Sequence, residues 1–271
     1  MLSKKLVILG SIIIFPLLAI LIFPMTGCAE KMMYFPPKAS YADEPEVIKI
    51  PVNRDETISA VYLDGSPEGY TLLFSHGNAE DIGQNLPFFR QCQRNGFGVF
   101  AYDYRGYGTS DGKPTEQNTY QDIDAAYAYL IETLNIPADR VLVHGRSIGS
   151  GPACYLATRK PVAGLILESA FTSAYRVALG FSLPFDPYDN LSRFKNVRCP
   201  VLMIHGQQDR VVPFRHGQTL YDVVSEPKMK YWVPDAGHND LFYKAGKNYW
   251  KTLHEFEKLL QRTQIERRSK C

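Results

Sequence analysis

Cysteine is scarce and scattered in this chain. The 271 residues hold five, at Cys28, Cys92, Cys154, Cys199 and Cys271, and no two form a Cys-x-x-Cys pair, which argues against zinc and dithiol redox motifs. Cys154 and Cys199 read as small buried hydrophobes, and spacing does not choose partners for a disulfide. No His-Glu-x-x-His motif or carboxylate cluster is present, so no metal and no other cofactor is expected. An excess of charge of one sign is lacking too: 30 Lys and Arg against 28 Asp and Glu leave a formal net charge of +2. No basic block interleaves with aromatics, so a nucleic-acid partner is not expected. Internal repeats and low-complexity tracts are absent. What remains is an ordinary globular composition, 45% hydrophobic and 21% charged, long enough for one sizeable core.

The exception is the N-terminus. Lys4 and Lys5 are followed by no charge until Glu30, and residues 6–23 are nearly all aliphatic. A positive region before an apolar run is an export signal, and this run is also long enough to span a membrane. It closes on Met25-Thr26-Gly27-Cys28, which resembles a bacterial lipobox with Met25 where Leu is usual. Three readings fit: a lipoprotein lipidated at Cys28, an uncleaved signal anchor, or plain secretion. All three put the body outside the cytoplasm, and the first two hold it in the cell envelope by a membrane-bound N-terminus. Residues 1–27 are therefore read as signal or anchor and 28–45, with Pro36, Pro37 and Pro45, as a tether. Residues 46–265 are read as one folded domain and 266–271 as a basic, solvated tail.

Within the domain, apolar runs over 47–52 and 58–63, parted by polar residues, predict two antiparallel strands. From residue 70 the pattern alternates. Strands are predicted over 70–74, 97–102, 141–143, 165–167, 201–204 and 229–233. Between them lie helical patterns from Leu86 towards Gly96, over 116–134 and over 214–224, and a closing helix over 241–261. Such alternation predicts an α/β fold with a mainly parallel sheet and right-handed crossovers. The stretch 171–197 is irregular, with Pro184, Pro187 and several aromatics. It is expected to roof an apolar acyl pocket as a short lid through Phe171, Tyr175, Phe181, Leu183 and Phe185, or else to pack on the sheet.

The chemistry centres on Gly145-Arg146-Ser147-Ile148-Gly149. A short aliphatic strand runs straight into this Gly-x-Ser-x-Gly, and a new helix opens behind it, the setting in which the serine sits on a sharp, strained turn. Gly145 and Gly149 are expected where a Cβ would clash. A serine nucleophile needs a base, and the base needs a carboxylate to hold its tautomer. Asp209 and His238 each follow a predicted strand, in loops at the sheet edge where open α/β sheets bind ligands. Glu168 also follows a strand and is the competing carboxylate. An oxyanion site needs two N–H groups aimed at one point; Ile148, just past the serine, and Asn78, in the loop after the third strand, are the expected donors. Arg146 is expected either to favour an acidic group on the substrate or to pair with a nearby carboxylate. His76, His144 and His205 adjoin glycines at strand ends and read as loop braces.

Taken together, Ser75-His76-Gly77-Asn78-Ala79-Glu80-Asp81, Tyr102-Asp103-Tyr104-Arg105-Gly106-Tyr107-Gly108, Gly145-Arg146-Ser147-Ile148-Gly149, His205-Gly206-Gln207-Gln208-Asp209 and Gly237-His238-Asn239-Asp240 give the chain a resemblance to serine hydrolases of the α/β-hydrolase superfamily. It is most similar to the small hydrolases related to eukaryotic depalmitoylases and their bacterial relatives. It departs from the depalmitoylases in having a lone Cys28 for their N-terminal cysteine cluster and Arg146 where they tend to have Gln. The resemblance implies the α/β-hydrolase fold and hydrolysis of a small ester or thioester substrate without a cofactor, by a Ser147–Asp209–His238 triad. A serine peptidase acting on peptide N-termini and a non-catalytic binding protein share the same fold and stay open as alternatives.

Overall fold

The computed structural model of the chain describes residues 33–269 apart from Leu183 and Phe185. The signal or anchor segment 1–27, Cys28 and Cys271 lie outside the described residues, as do those two members of the expected lid.

Eight strands form one sheet, β1 (Ile48–Pro51), β2 (Thr57–Leu63), β3 (Thr71–Ser75), β4 (Gly98–Tyr102), β5 (Val141–Arg146), β6 (Gly164–Glu168), β7 (Val201–Gly206) and β8 (Lys228–Val233). Their order is β1-β2-β4-β3-β5-β6-β7-β8. β1 pairs with β2, and β2 with β4, in antiparallel register; every other pairing is parallel. The two antiparallel strands are those that precede the alternating part of the chain. β3, β4, β6 and β7 are buried along their whole length, which is why they read as continuous apolar runs rather than alternations.

Successive residues of each strand face opposite layers. Leu73, Val143, Leu165 and Met203 join the core beneath α2 (Glu116–Ala128) and α3 (Ser150–Ala157), while Leu72, Leu142, Ile166 and Leu202 join the core beneath α1 (Ile82–Arg94). Phe89 and Phe256 are fully buried in that second layer, and each stabilises the fold by about 2 kcal/mol through burial alone. α1 begins at Ile82, earlier than its apolar pattern, because Asp81 caps it by accepting the Gln84 N–H at 2.9 Å. Thr115 caps α2 in the same way.

Three elements differ from the sequence-based expectation. The helix predicted over 116–134 is α-helical to Ala128 and closes as a π-helical turn over Tyr129–Thr133. The irregular stretch holds two short helices, α4 (Ala174–Leu179) and α5 (Asn190–Phe194). After α6 (Arg215–Val223), the closing helix is two: α7 (Leu241–Ala245) and α8 (Lys247–Arg268), parted at Gly246, whose φ of 52° breaks the helical run.

Residues 33–45, expected as a tether, lie along the domain. Tyr34 is buried, with its hydroxyl 2.6 Å from that of Tyr188; Ser40 bonds Asp81, and the Tyr41 hydroxyl bonds Asp103.

Candidate active site

β5 delivers the serine. Its last residue, Arg146, is extended, and Ser147 follows with φ at 51°, a conformation that costs an L-residue about 1–2 kcal/mol and persists only where the surroundings enforce it. Close packing enforces it here. A Cβ on Gly149 would lie 2.1 Å from the Ser75 carbonyl oxygen, and one on Gly145 would lie 2.5 Å from the Gly149 carbonyl oxygen. The turn is thus pressed against the end of β3, and α3 starts directly beneath Ser147.

β8 and β7 deliver the other two groups. His238 Nε2 lies 3.0 Å from Ser147 Oγ, and His238 Nδ1 lies 2.7 Å from Asp209 Oδ2. The other Asp209 oxygen accepts the N–H groups of Val211 at 2.9 Å and Val212 at 2.8 Å, so both carboxylate oxygens are fixed. Burial opposes the charge on Asp209, but hydrogen bonds from His205 and His238 outweigh it and hold the carboxyl well below the usual carboxylate range. Asp209 is therefore ionised at neutral pH, an acceptor for an Nδ1–H, which leaves Nε2 free to accept from the serine.

The competing carboxylate is occupied elsewhere. Glu168 Oε1 meets His144 Nε2 at 3.0 Å and the Tyr249 hydroxyl, while Oε2 meets Arg146 Nε at 3.0 Å. Burial again works against the charge, and Arg146 and His144 together hold this carboxyl below its usual range. Of the two roles open to Arg146, the structure displays the pairing role. Its guanidinium bonds Glu168 and, at 3.0 Å, Asn85, and lies over the rings of Phe74 and Phe88 at 5.0 Å each. That network behind the serine carried no sequence signal beyond the strand-end positions of His144 and Glu168. His205 and His76 brace loops: His205 Nε2 bonds the Val212 carbonyl at 2.9 Å, and His76 Nδ1 bonds that of Gly77 at 2.7 Å.

Ser147 opens into a cavity of about 850 Å³, lined also by Ile148, Asn78 and His238. Gly77 brings the Asn78 loop beside the serine: a Cβ added there would lie 3.8 Å from Ser147 Cβ. The cavity lining mixes polar side chains, Glu80, Gln84, Asn85 and Arg146, with apolar ones that include Phe88, Phe171, Ala174, Val177, Val212 and Phe242. The lid segment is thus divided. Phe171 and α4 line the cavity, Phe181 is exposed, and Tyr188 turns inward onto Gly151 of α3. Cys92 and Cys154 are buried free thiols, and Cys199 is buried as well. Among the described residues no group of three His, Cys, Asp or Glu side chains is placed to hold a metal ion, and no helix is long and apolar enough to cross a membrane.

This architecture, with a serine raised at the end of its fifth strand, is the α/β-hydrolase fold, and the chain is a hydrolase of that class. The Hydrolase_4 family model, described as serine aminopeptidase, S33, matches residues 66–182. Alpha/beta hydrolase domain-containing protein 17B of Xenopus tropicalis is 41% identical over 204 residues, 73% of this chain and 71% of that protein. The human protein 17B is 40% identical over the same shares. The chain therefore belongs to the family of the alpha/beta hydrolase domain-containing 17 proteins. Among solved structures, the Pyrococcus furiosus esterase Pf2001 superposes with a TM-score of 0.68 at 22% identity, covering 82% of this chain and 98% of its own, which is a likeness of fold.

Proposed function

We propose that the chain is a serine hydrolase that cleaves carboxylic esters or thioesters through an acyl-enzyme, without a cofactor. The observation that carries this reading is the unbroken line Ser147 Oγ, His238 Nε2, His238 Nδ1, Asp209 Oδ2, with spacings of 3.0 and 2.7 Å, opening on a cavity. His238 takes the proton of Ser147 as Oγ attacks the acyl carbonyl, and Asp209 holds the imidazolium that forms. The Ile148 and Asn78 N–H groups receive the oxyanion. The intermediate collapses with the alcohol or thiol leaving, protonated by His238. Water activated by the same histidine then releases the acid and restores Ser147. The apolar lining residues, Phe171, Ala174, Val177 and Val212 among them, suit an acyl chain. Residues 46–265 would carry this activity. Lipidation of Cys28 after removal of residues 1–27, or residues 1–27 kept as an uncleaved anchor, would hold it at a membrane of the cell envelope, outside the cytoplasm.

The second reading, a serine peptidase acting on peptide N-termini, is favoured by the description of the matching family model. One substrate panel separates the two. Acyl esters and thioesters of graded chain length should be turned over by the wild type and not by Ser147→Ala, and should outrun aminoacyl amides; faster cleavage of the amides would move the chain to the peptidases.

A further inference from the structure

The loop that would supply the second oxyanion donor carries backbone strain at its tip. Ala79 sits at φ 59°, in the left-handed region that a residue with a Cβ avoids, and it is exposed, so no packing of its side chain compensates. Beside a local bond from the Gly77 N–H to the Glu80 carboxylate, the side chain of the neighbouring Asn78 ties the loop to distant parts of the domain. Asn78 Oδ1 accepts the Tyr107 hydroxyl at 2.6 Å and the Phe35 N–H at 2.9 Å, and Asn78 Nδ2 donates to the Met33 carbonyl at 2.7 Å. The Phe35 N–H also reaches the Tyr107 hydroxyl at 3.2 Å, which closes the ring of bonds. These partners lie 29 to 45 residues away along the chain, so this is a tertiary contact and not a local turn.

The segment that supplies Met33 and Phe35 is itself fastened, within the clasp and C-terminal to it. Tyr34 reaches inward to Tyr188, which in turn bonds Thr119 at 2.8 Å. Ser40 and Tyr41 bond Asp81 and Asp103, the first of which caps α1 just past the loop. Water could satisfy an exposed amide about as well for stability, because a neutral hydrogen bond nets only about 1 kcal/mol. Water would not fix its direction. With a fourth bond, from the Ala79 N–H to Asn78 Oδ1 at 3.1 Å, these contacts restrict the orientation of a residue whose own N–H lies in the loop that Gly77 brings beside Ser147.

We propose that the main chain of residues 33–35 and the Tyr107 hydroxyl form a positioning clasp on Asn78, which aims its backbone N–H at the oxyanion. The proposal rests on the reading of Ser147 as nucleophile. It also makes residues 33–35 a working part of the site, so that the catalytic rate depends on how they are seated.

The test uses the full chain with Tyr107→Phe, which keeps the ring against His76 and Tyr104 and removes one donor, and Asn78→Ala, which removes the clasp. Three quantities are read: kcat and KM for a p-nitrophenyl ester, Ki for a trifluoromethyl ketone that forms a hemiketal oxyanion on serine, and the thermal midpoint. Tyr107→Phe should lower kcat about tenfold, and Asn78→Ala about a hundredfold, with KM within about twofold, as expected when an oxyanion donor is misaimed. The Ki for the ketone should rise by the same factors. A bond that serves stability alone would lower the midpoint and leave kcat and Ki unchanged, and that result overturns the clasp. Should Asn78→Ala not fold, Tyr107→Phe decides by the same criteria. A wild type that turns over no ester overturns both the clasp and the hydrolase reading, whereas an active wild type matched by active variants overturns the clasp only.

Discussion

Replacing Asp209 by Asn changes one atom of the site and leaves its framework in place. The asparagine carbonyl oxygen can still accept the Val211 and Val212 N–H groups, which lie 2.9 and 2.8 Å from Asp209 Oδ1. The amide nitrogen then occupies the position of Oδ2, 2.7 Å from His238 Nδ1. Being a donor, it selects the tautomer with the proton on Nε2, and that nitrogen, 3.0 Å from Ser147 Oγ, can no longer accept the serine proton. The variant also loses the charge that stabilises the imidazolium. In serine hydrolases generally, loss of the tautomer-setting carboxylate costs about 10⁴ in kcat, or about 5 kcal/mol of transition-state stabilisation. Asp209→Asn should therefore fold, with a thermal midpoint within a few degrees of the wild type, and lose three to four orders of magnitude in kcat on a p-nitrophenyl ester, roughly. A variant within tenfold of the wild-type rate would refute the assignment of the acid and the tautomer argument with it.

Glu168→Gln should behave in the opposite way. It leaves Arg146 without its buried counter-ion, at a cost of about 3 kcal/mol in denaturant unfolding, while kcat falls far less than in Asp209→Asn; a rate loss as deep as that of Asp209→Asn would make Glu168 the catalytic carboxylate. The acid loss of stability carried by His216, Asp209 and Glu168 should come in two stages, the upper one partly offset by Asp122, whose carboxyl pKa burial raises to about 6. His216, buried with Nδ1 2.9 Å from Thr172 Oγ1, has its pKa lowered to about 4, chiefly by burial and then by Arg215. It stays neutral in the fold while the unfolded chain takes up a proton near pH 6.5, so stability falls as pH drops from about 6.5 towards 4. Asp209 and Glu168, both depressed in the fold, add their loss below about pH 4, where the unfolded carboxylates protonate first. Urea midpoints at pH 7.5, 5.5 and 4 check this. A His216→Gln variant that keeps the full upper-stage loss would remove His216 as its source.

The parallel sheet was legible because its central strands are buried on both faces and carry unbroken apolar runs, as in β3 and β7. Ser147 and Asp209 stood out because each follows such a run, whereas His238 follows β8, an edge strand with Lys228 and Lys230 and only Val233 buried, and was picked out by its place after a strand. The short helices α4 and α5 left no signal: with six and five residues they are too short to display a 3.6-residue period, and Gly180, Pro184 and Pro187 interrupt the pattern between them. The division of the closing helix at Gly246 was hidden because Leu241 and Ala245 continue the apolar face across it. The seating of residues 33–45 was out of reach for another reason. Their contacts are hydrogen bonds of Tyr34, Ser40 and Tyr41 to residues far along the chain, and no periodicity reports a polar tertiary contact. For the same reason Asn78 was read as a backbone donor with no hint of the hydrogen bonds its side chain makes to Met33, Phe35 and Tyr107.

The central claim, that Ser147 is an activated nucleophile, is tested most directly by fluorophosphonate labelling followed by intact mass. The wild type should gain one phosphonyl group and lose esterase activity in step with labelling, and Ser147→Ala should gain none. Equal labelling of the two proteins, or labelling of neither, would contradict the account.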